Sequence, residues 1–309
     1  MDPKGGTELQ VAMLERHVDS KLLEKFQITT SVPEKIPLSK DKINILWQQN
    51  SYDQPNLFPW FKNKDNHDKY DWYVFNSHWL YEKFRYFFKI PTERCTVIKN
   101  AIEVFPERKI YKQGDPIRMI FHPTPWRGLN VILGAMQLVK SEDVTLDVYS
   151  STKVYGDAFR DKNDDTYKPL YAQCAEMPNV NYKGWHNNDF ITSHLQEYQI
   201  FPYSNIWEET SCISAIEALG AGMHMITTNY GALYETCSEW PVYVQYDNNR
   251  KNLSTCFAYA IDEVREYLHT DRCQEYLQKQ QDFYKMFYSW KKRKIEWTNF
   301  LEGVANAKS

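Results

Sequence analysis

The stretch Phe201-Pro-Tyr-Ser-Asn-Ile-Trp-Glu-Glu-Thr-Ser-Cys-Ile-Ser-Ala-Ile-Glu-Ala-Leu-Gly-Ala-Gly-Met-His-Met-Ile-Thr-Thr-Asn-Tyr-Gly231 decides the fold. Its apolar start reads as a strand ending near Phe201, followed by a polar loop with Glu208 and Glu209. A helix then begins at Thr210 or Ser211, and a second strand covers 224–227. A loop of this kind lies at the carboxyl edge of a parallel strand, where open α/β sheets bind ligands. The helix start offers the amides of Ser211, Cys212 and Ile213, and no Glu or Gln completes a capping box, so these donors suit a phosphate. Glu209 and Glu217 lie roughly 12 Å apart along a helix axis, a spacing that fits two ends of a long ligand better than one acid/base pair. The same pattern also fits an ordinary helix that packs Ile213, Ile216 and Leu219 on a sheet and leaves Glu217 in solvent.

Working outward, strand and helix patterns alternate from 117 to 227. Strands are predicted at 117–121, 144–149, 180–182, 199–201 and 224–227, with helices at 129–139, 167–175, 190–197 and 211–219. Such alternation implies a parallel sheet covered on both faces. Residues 253–306 read as helix. Upstream, 103–116 reads as a linker, and a smaller α/β unit precedes it, with strands at 43–47, 72–75 and 96–98 and a helix at 79–88. Residues 7–26 suit an amphipathic helix opened by a capping box, Thr7-x-x-Gln10, and 27–42 reads as a connector.

The chain has 309 residues, 42% hydrophobic and 16% aromatic, which suits two domains or one large one and excludes general disorder. Lys plus Arg number 37 against 40 for Asp plus Glu, so no global positive field draws nucleic acid or an acidic membrane. No run of 18 apolar residues and no secretory leader is legible, so a cytoplasmic protein is expected. The six cysteines form no C-x-x-C pair and are expected to be free, buried thiols. No P-loop, G-x-G-x-x-G, H-E-x-x-H or G-x-S-x-G motif occurs, and the eight histidines lack metal-ligand spacing.

Glu209-x7-Glu217, followed by Ala218-Leu-Gly-Ala-Gly222 and Gly231-Ala-Leu-Tyr-Glu235, resembles the nucleotide-sugar site of retaining GT-B glycosyltransferases of family 4. Phe121-His-Pro-Thr-Pro-Trp-Arg127-Gly128, Val180-Asn-Tyr-Lys-Gly184-Trp-His, Val74-Phe-Asn-Ser77-His-Trp79 and Val97-Ile-Lys-Asn100-Ala-Ile102 extend the resemblance, and Tyr288-Ser-Trp290 and Trp297 resemble the family's terminal helices. The resemblance implies an α/β GT-B fold: two Rossmann-like lobes with a cleft between them and a small N-terminal lobe. Residues 1–108 would form the acceptor-side lobe and 109–286 the nucleotide-sugar lobe, with 287–309 packing back on the first. It implies hexosyl transfer from a nucleotide-diphosphate sugar to a hydroxyl of a glycan, lipid-linked or protein-linked acceptor. Arg127 would neutralise the diphosphate and Glu209 would bind hydroxyls of the transferred sugar. Thr210, Ser211 and Cys212 would sit near phosphates and sugar, Glu217 on the ribose, and Trp185 and His186 near the base, with Gly231 and Glu235 completing the donor set. No metal and no other cofactor is implied.

The chain departs from the family pattern in three places. Phe121 replaces a second basic residue, Gln49 stands where a histidine facing the donor sugar is expected, and Ala101 replaces a glycine. Gln49, Phe121 and the short first lobe support one alternative, an impaired GT-B protein acting as a nucleotide-sugar-binding or interaction module; another GT-B enzyme such as an epimerase is the rival among enzymes. The acceptor side is placed at Gln49, Tyr52, Asp53 and Trp60, in an aromatic loop that includes Trp47, Phe58 and Phe61. The basic run from Lys291 to Lys294 is a candidate for weak peripheral membrane contact, and the same run suits a solvated helix face.

Overall fold

The computed structural model describes residues 5–308 and consists of two parallel sheets facing one another across a cleft. The first lobe runs α1 (Gly6–His17), α2 (Ser20–Leu23), β1 (Phe26–Thr30), β2 (Ile43–Gln48), α3 (Phe58–Lys62), β3 (Trp72–Phe75), α4 (His78–Phe88) and β4 (Cys95–Val97). Its four strands pair in chain order, all parallel. The second lobe runs β5 (Ile117–Phe121), α5 (Leu129–Met136), β6 (Val144–Val148), α6 (Asp157–Asn163), α7 (Lys168–Glu176), β7 (Val180–Tyr182), α8 (Asn188–His194) and β8 (Ile200–Tyr203). It continues through α9 (Ile213–Gly220), β9 (His224–Thr228), α10 (Leu233–Cys237), β10 (Val242–Val244), α11 (Arg250–Tyr267) and α12 (Asp271–Phe287). Its sheet order is β10-β9-β8-β5-β6-β7, so the winding reverses between β5 and β8. That reversal opens a crevice at the carboxyl ends of the two strands, the expected seat for a ligand.

Several sequence expectations change here. Residues 27–42 are not all connector, because β1 lies along β2 with Phe26 opposite Ile43 and Thr30 opposite Trp47. Only Phe26 and Thr29 of this edge strand are buried, so its pattern is too weak to read as a strand. The capping box at α1 does not form: Gly5 is the N-cap and no side chain caps it. Gln10 is buried instead and makes a two-way bond with Ala101, giving Nε2–H to the carbonyl at 2.8 Å and receiving the amide at 2.9 Å. Helix α10 and strand β10 went unread, and Cys256 is exposed although all six cysteines are free.

Helix α13 (Trp290–Lys308) leaves the second lobe and packs on the first. Trp290, Trp297, Leu301 and Val304 share a core with Leu14, Val18, Phe26 and Trp47. Trp297 meets Trp47 edge-on at 4.8 Å, and Trp290 stacks on His17 at 5.4 Å. The other face of that sheet holds a second cluster with Phe61, Tyr73, Phe75 and Phe84, so Trp47 and Phe61 are core residues and not sugar platforms. The basic run does not form one face either. Arg293 is buried, donating to the Phe287 carbonyl at 2.8 Å and pairing with Glu296, while Lys292 also pairs with Glu296. Among the described residues no helix is long and apolar enough to cross a membrane.

Two features tie the second lobe to its site. Helix α9 is apolar nearly all round, and its terminal carbonyls are satisfied from α12, Gln280 donating to Leu219 and Met223 and Gln281 to Gly220. Gly128, at the turn from β5 into α5, has φ +114°, and a Cβ there would lie 1.9 Å from the Ser204 carbonyl oxygen. Only glycine permits both that dihedral and that approach. Gly128→Ala is therefore expected to cost on the order of 2–3 kcal/mol and to lower the melting temperature by roughly 3–5 °C, measurable by calorimetry. An unchanged melting temperature would disprove the close approach.

Candidate functional site

A cavity of about 650 Å³ occupies the crevice, walled by both lobes. From the second lobe it is lined by Arg127 in the turn after β5, Trp185 and His186 after β7, Tyr203 at the end of β8, and the segment from Glu209 to Ser214 with Glu217. The first lobe contributes Gly5 to Leu9, Thr30 to Val32, Lys35, Gln49, Asn76 and Asn100. The volume is in the range of small-molecule sites.

Glu209 is 5% exposed and does not stand alone. The Tyr203 hydroxyl donates to its Oε1 at 2.5 Å, and Arg127 forms an ion pair with the same oxygen. Both contacts fall on Oε1, which leaves Oε2 for a ligand hydroxyl. Behind it, the Ala232 amide donates to the Glu209 carbonyl at 2.7 Å. Gly231 has φ +65°, and a Cβ there would lie 2.6 Å from both the Glu209 nitrogen and oxygen. Gly231 thus supports the carboxylate from beneath and does not line the cavity.

Helix α9 starts later than the sequence predicts, with Cys212 as N-cap and Ile213 and Ser214 as the first helical residues on the wall. Thr210 and Ser211 lie on the same wall and also join the lobes. The Thr210 hydroxyl donates to the Gln49 carbonyl at 2.8 Å, and Asn100 Nδ2 donates to the Ser211 carbonyl at 3.3 Å. Glu217 is buried on the wall, not solvated, and accepts from Asn188 Nδ2 at 3.3 Å. Burial pushes its carboxyl up to about 7. Trp185 lies under the Lys153 ammonium at 4.8 Å, and His186 stacks on Phe190 at 4.1 Å.

Glu235, assigned to the donor from sequence, lies outside the cavity. Its two oxygens accept the amides of His78 and Trp79 at 2.9 and 2.7 Å, and Lys99 approaches at 3.0 Å, so it caps α4 of the opposite lobe. Tyr52, Asp53 and Trp60 also do not line the cavity. Tyr52 stacks on Phe87, and Trp60 donates to Glu34. Gln49 does line it: its Oε1 accepts from Asn76, and its buried Nε2 has no partner.

Sequence reasoning missed Gly5 to Leu9, the uncapped amino end of α1, which enters the cavity and carries the positive pole of that helix. The Gly5-Gly6 pair ahead of an amphipathic helix was the available signal. Asn76 Oδ1, Asn100 Oδ1 and Thr124 Oγ1 are further buried polar atoms on the wall without partners. Buried orphans are uncommon in folded proteins, and their concentration here marks a surface built for a polar ligand. His122 on the same wall is kept neutral by burial, which lowers it to about 4. No group of three or more His, Cys, Asp or Glu side chains among the described residues is arranged to hold a metal.

No protein-family model matches the chain, and no curated protein matches it in sequence. Solved structures match it in fold. HepE of Anabaena, crystallised in complex with UDP, is 13% identical over 85% of this chain and 72% of that one, with a TM-score of 0.65. A glycosyltransferase from Rickettsia africae is 16% identical over 99% of this chain and 83% of that one, with a TM-score of 0.68. Sucrose-phosphate synthase from Thermosynechococcus elongatus is 11% identical over 92% and 74%, with a TM-score of 0.65. The chain has the α/β GT-B fold of these glycosyltransferases.

The Glu217 environment has a measurable signature in the free protein. The folded carboxyl keeps its proton to about 7, whereas the unfolded chain releases it near 4.5. Between those values the folded state binds more protons, so this residue's contribution falls as pH rises and is fully lost above 7. Glu217→Gln, uncharged throughout, is expected to be more stable than wild type at pH 8, by on the order of 3 kcal/mol and so with a higher melting temperature, and nearly level with it at pH 4.5. Melting curves of both proteins across this range test it, and a pH-independent difference would refute the assignment.

Proposed function

We propose that the protein is a retaining glycosyltransferase of the family 4 type. It moves a hexose-type sugar from a nucleotide-diphosphate sugar to a hydroxyl of a glycan, lipid-linked or protein-linked acceptor, and needs no metal. One observation carries the reading: Arg127, the Tyr203–Glu209 pair, the start of α9 and Glu217 lie in sequence along one wall of a cavity at the winding reversal of a GT-B fold. Arg127 offers a guanidinium fork to a diphosphate. Glu209 accepts hydroxyls of the sugar, and Glu217 those of the ribose. Trp185 and His186 flank the base. The nucleotide proposed first is a uridine diphosphate, since HepE was crystallised with UDP.

In the transfer the acceptor oxygen bonds to the anomeric carbon as the bond from that carbon to the phosphate oxygen breaks. Attack comes from the face that the diphosphate leaves, and the acceptor proton passes to the departing phosphate oxygen. The protein's main task is then to stabilise the leaving charge, which Arg127 and the helix amides perform. The alternative, a nucleotide-sugar binder without turnover, is favoured by Gln49, whose carbonyl accepts from Thr210 across the joint between the lobes while its side chain accepts from Asn76 of its own lobe.

A thermal-shift panel of UDP, GDP, ADP and their sugar conjugates, with EDTA or magnesium, tests the reading. A ligand at 100 times its dissociation constant adds about 2.7 kcal/mol. The expected result is stabilisation by one base, unaffected by EDTA, that weakens at least tenfold in Arg127→Ala and Glu217→Ala. Release of free sugar from the stabilising donor separates the transferase from the binder. No shift with any nucleotide would refute both readings.

A further inference from the structure

The cavity wall poses a charge problem for a diphosphate. Its acidic side chains are Glu8, Asp189, Glu209 and Glu217, and its basic ones are Lys35 and Arg127. Arg127 shares its charge with Glu209 through their ion pair, so it matches only part of the charge of a diphosphate. Lys35 forms no ion pair with any described residue, which makes it the one lining cation with its charge uncommitted.

The loop that carries Lys35 is held in an uncommon conformation. Ser31 and Glu34 have φ of 62° and 56°, a left-handed region that non-glycine residues enter at a cost and keep only where surroundings fix them. Here the surroundings are specific. The Ser31 amide donates to the Trp47 carbonyl at 3.0 Å, and the Glu34 amide donates to the Tyr70 hydroxyl at 2.8 Å. The Glu34 carboxylate is clamped at both oxygens, by Lys69 at 2.9 Å and by Trp60 Nε1 at 3.1 Å. This clamp fixes the backbone next to Lys35, which is exposed and among the residues that line the cavity.

We propose that Lys35 is the second cationic contact for the diphosphate of a nucleotide ligand, supplied from the first lobe opposite Arg127 of the second. The proposal rests on the nucleotide reading above and adds a role for a residue outside it. A lysine serves as a point charge for phosphate, and one contributed by the other lobe makes diphosphate binding dependent on both lobes at once. Position 121, where the resemblance expects a second base in the same lobe as Arg127, is a buried phenylalanine.

Isothermal titration of UMP and UDP into wild type, Lys35→Gln and Lys35→Arg is the test. Lys35→Gln is expected to weaken UDP by about tenfold and leave UMP within about twofold, while Lys35→Arg retains most of the UDP affinity. The exposed side chain predicts unchanged melting temperatures without ligand. If wild type binds UDP and Lys35→Gln binds it equally well, the proposal is overturned, including the case in which the lysine serves a phosphate on the acceptor. If wild type binds none of UDP, GDP and ADP, the nucleotide reading fails, and the role of Lys35 falls with it.

Discussion

A carboxylate taken out of water must be compensated, and Glu209 shows how much of a fold that requirement can organise. Its compensation comes from two separate strand ends. Tyr203 closes β8, and Arg127 sits in the turn after β5, so the pair forms only if β5 and β8 are neighbours. The main chain must also approach from below, which places a glycine at 231, and the β5 turn must press on β8, which places another at 128. The crevice, the glycines and the strand order are therefore one arrangement. Moving any of them would leave a buried charge without its partners.

The two lobes are joined mainly by polar groups on the cleft side. Gln49, Asn76 and Asn100 meet Thr210 and Ser211, and Glu235 caps α4 across the gap. At the back, Gln10 grips Ala101, and the Ile102 amide and carbonyl bond to Tyr288 and Trp290. Hydrogen bonds of this kind exchange with water at little net cost, unlike a dry apolar contact. The cleft joint is thus made of side-chain hydrogen bonds, while at the back the two chain crossings run together through the main-chain bonds of Ile102.

The sequence made the second lobe legible because its inner strands β5, β6, β8 and β9 are almost wholly buried and read as apolar runs that alternate with short helical patterns. Glu209 and Glu217 are visible for a related reason, because their spacing is local, whereas Arg127 is marked only by the family resemblance of the segment that carries it. What stayed hidden depends on contacts far apart in the chain. Gln10 looks like half of a capping box until Ala101 is placed beside it, and Glu235 looks like a ligand contact until α4 arrives at its oxygens. Strand β1 is an edge strand with polar outward residues, so no periodicity marks it. Lys35 is an ordinary surface lysine in one dimension, and only the clamp on Glu34 shows where it is held.

Helix α13 (Trp290–Lys308) completes the core of a lobe whose strands end at Val97, through Trp290 and Trp297 against Trp47 and Leu14. During synthesis the first lobe therefore waits, with Trp47 and the face of β2 uncovered, until the second lobe has emerged and folded. The order of assembly is inverted relative to the order of translation. In that interval the tryptophan face of the nascent chain is an apolar surface without its partner helix.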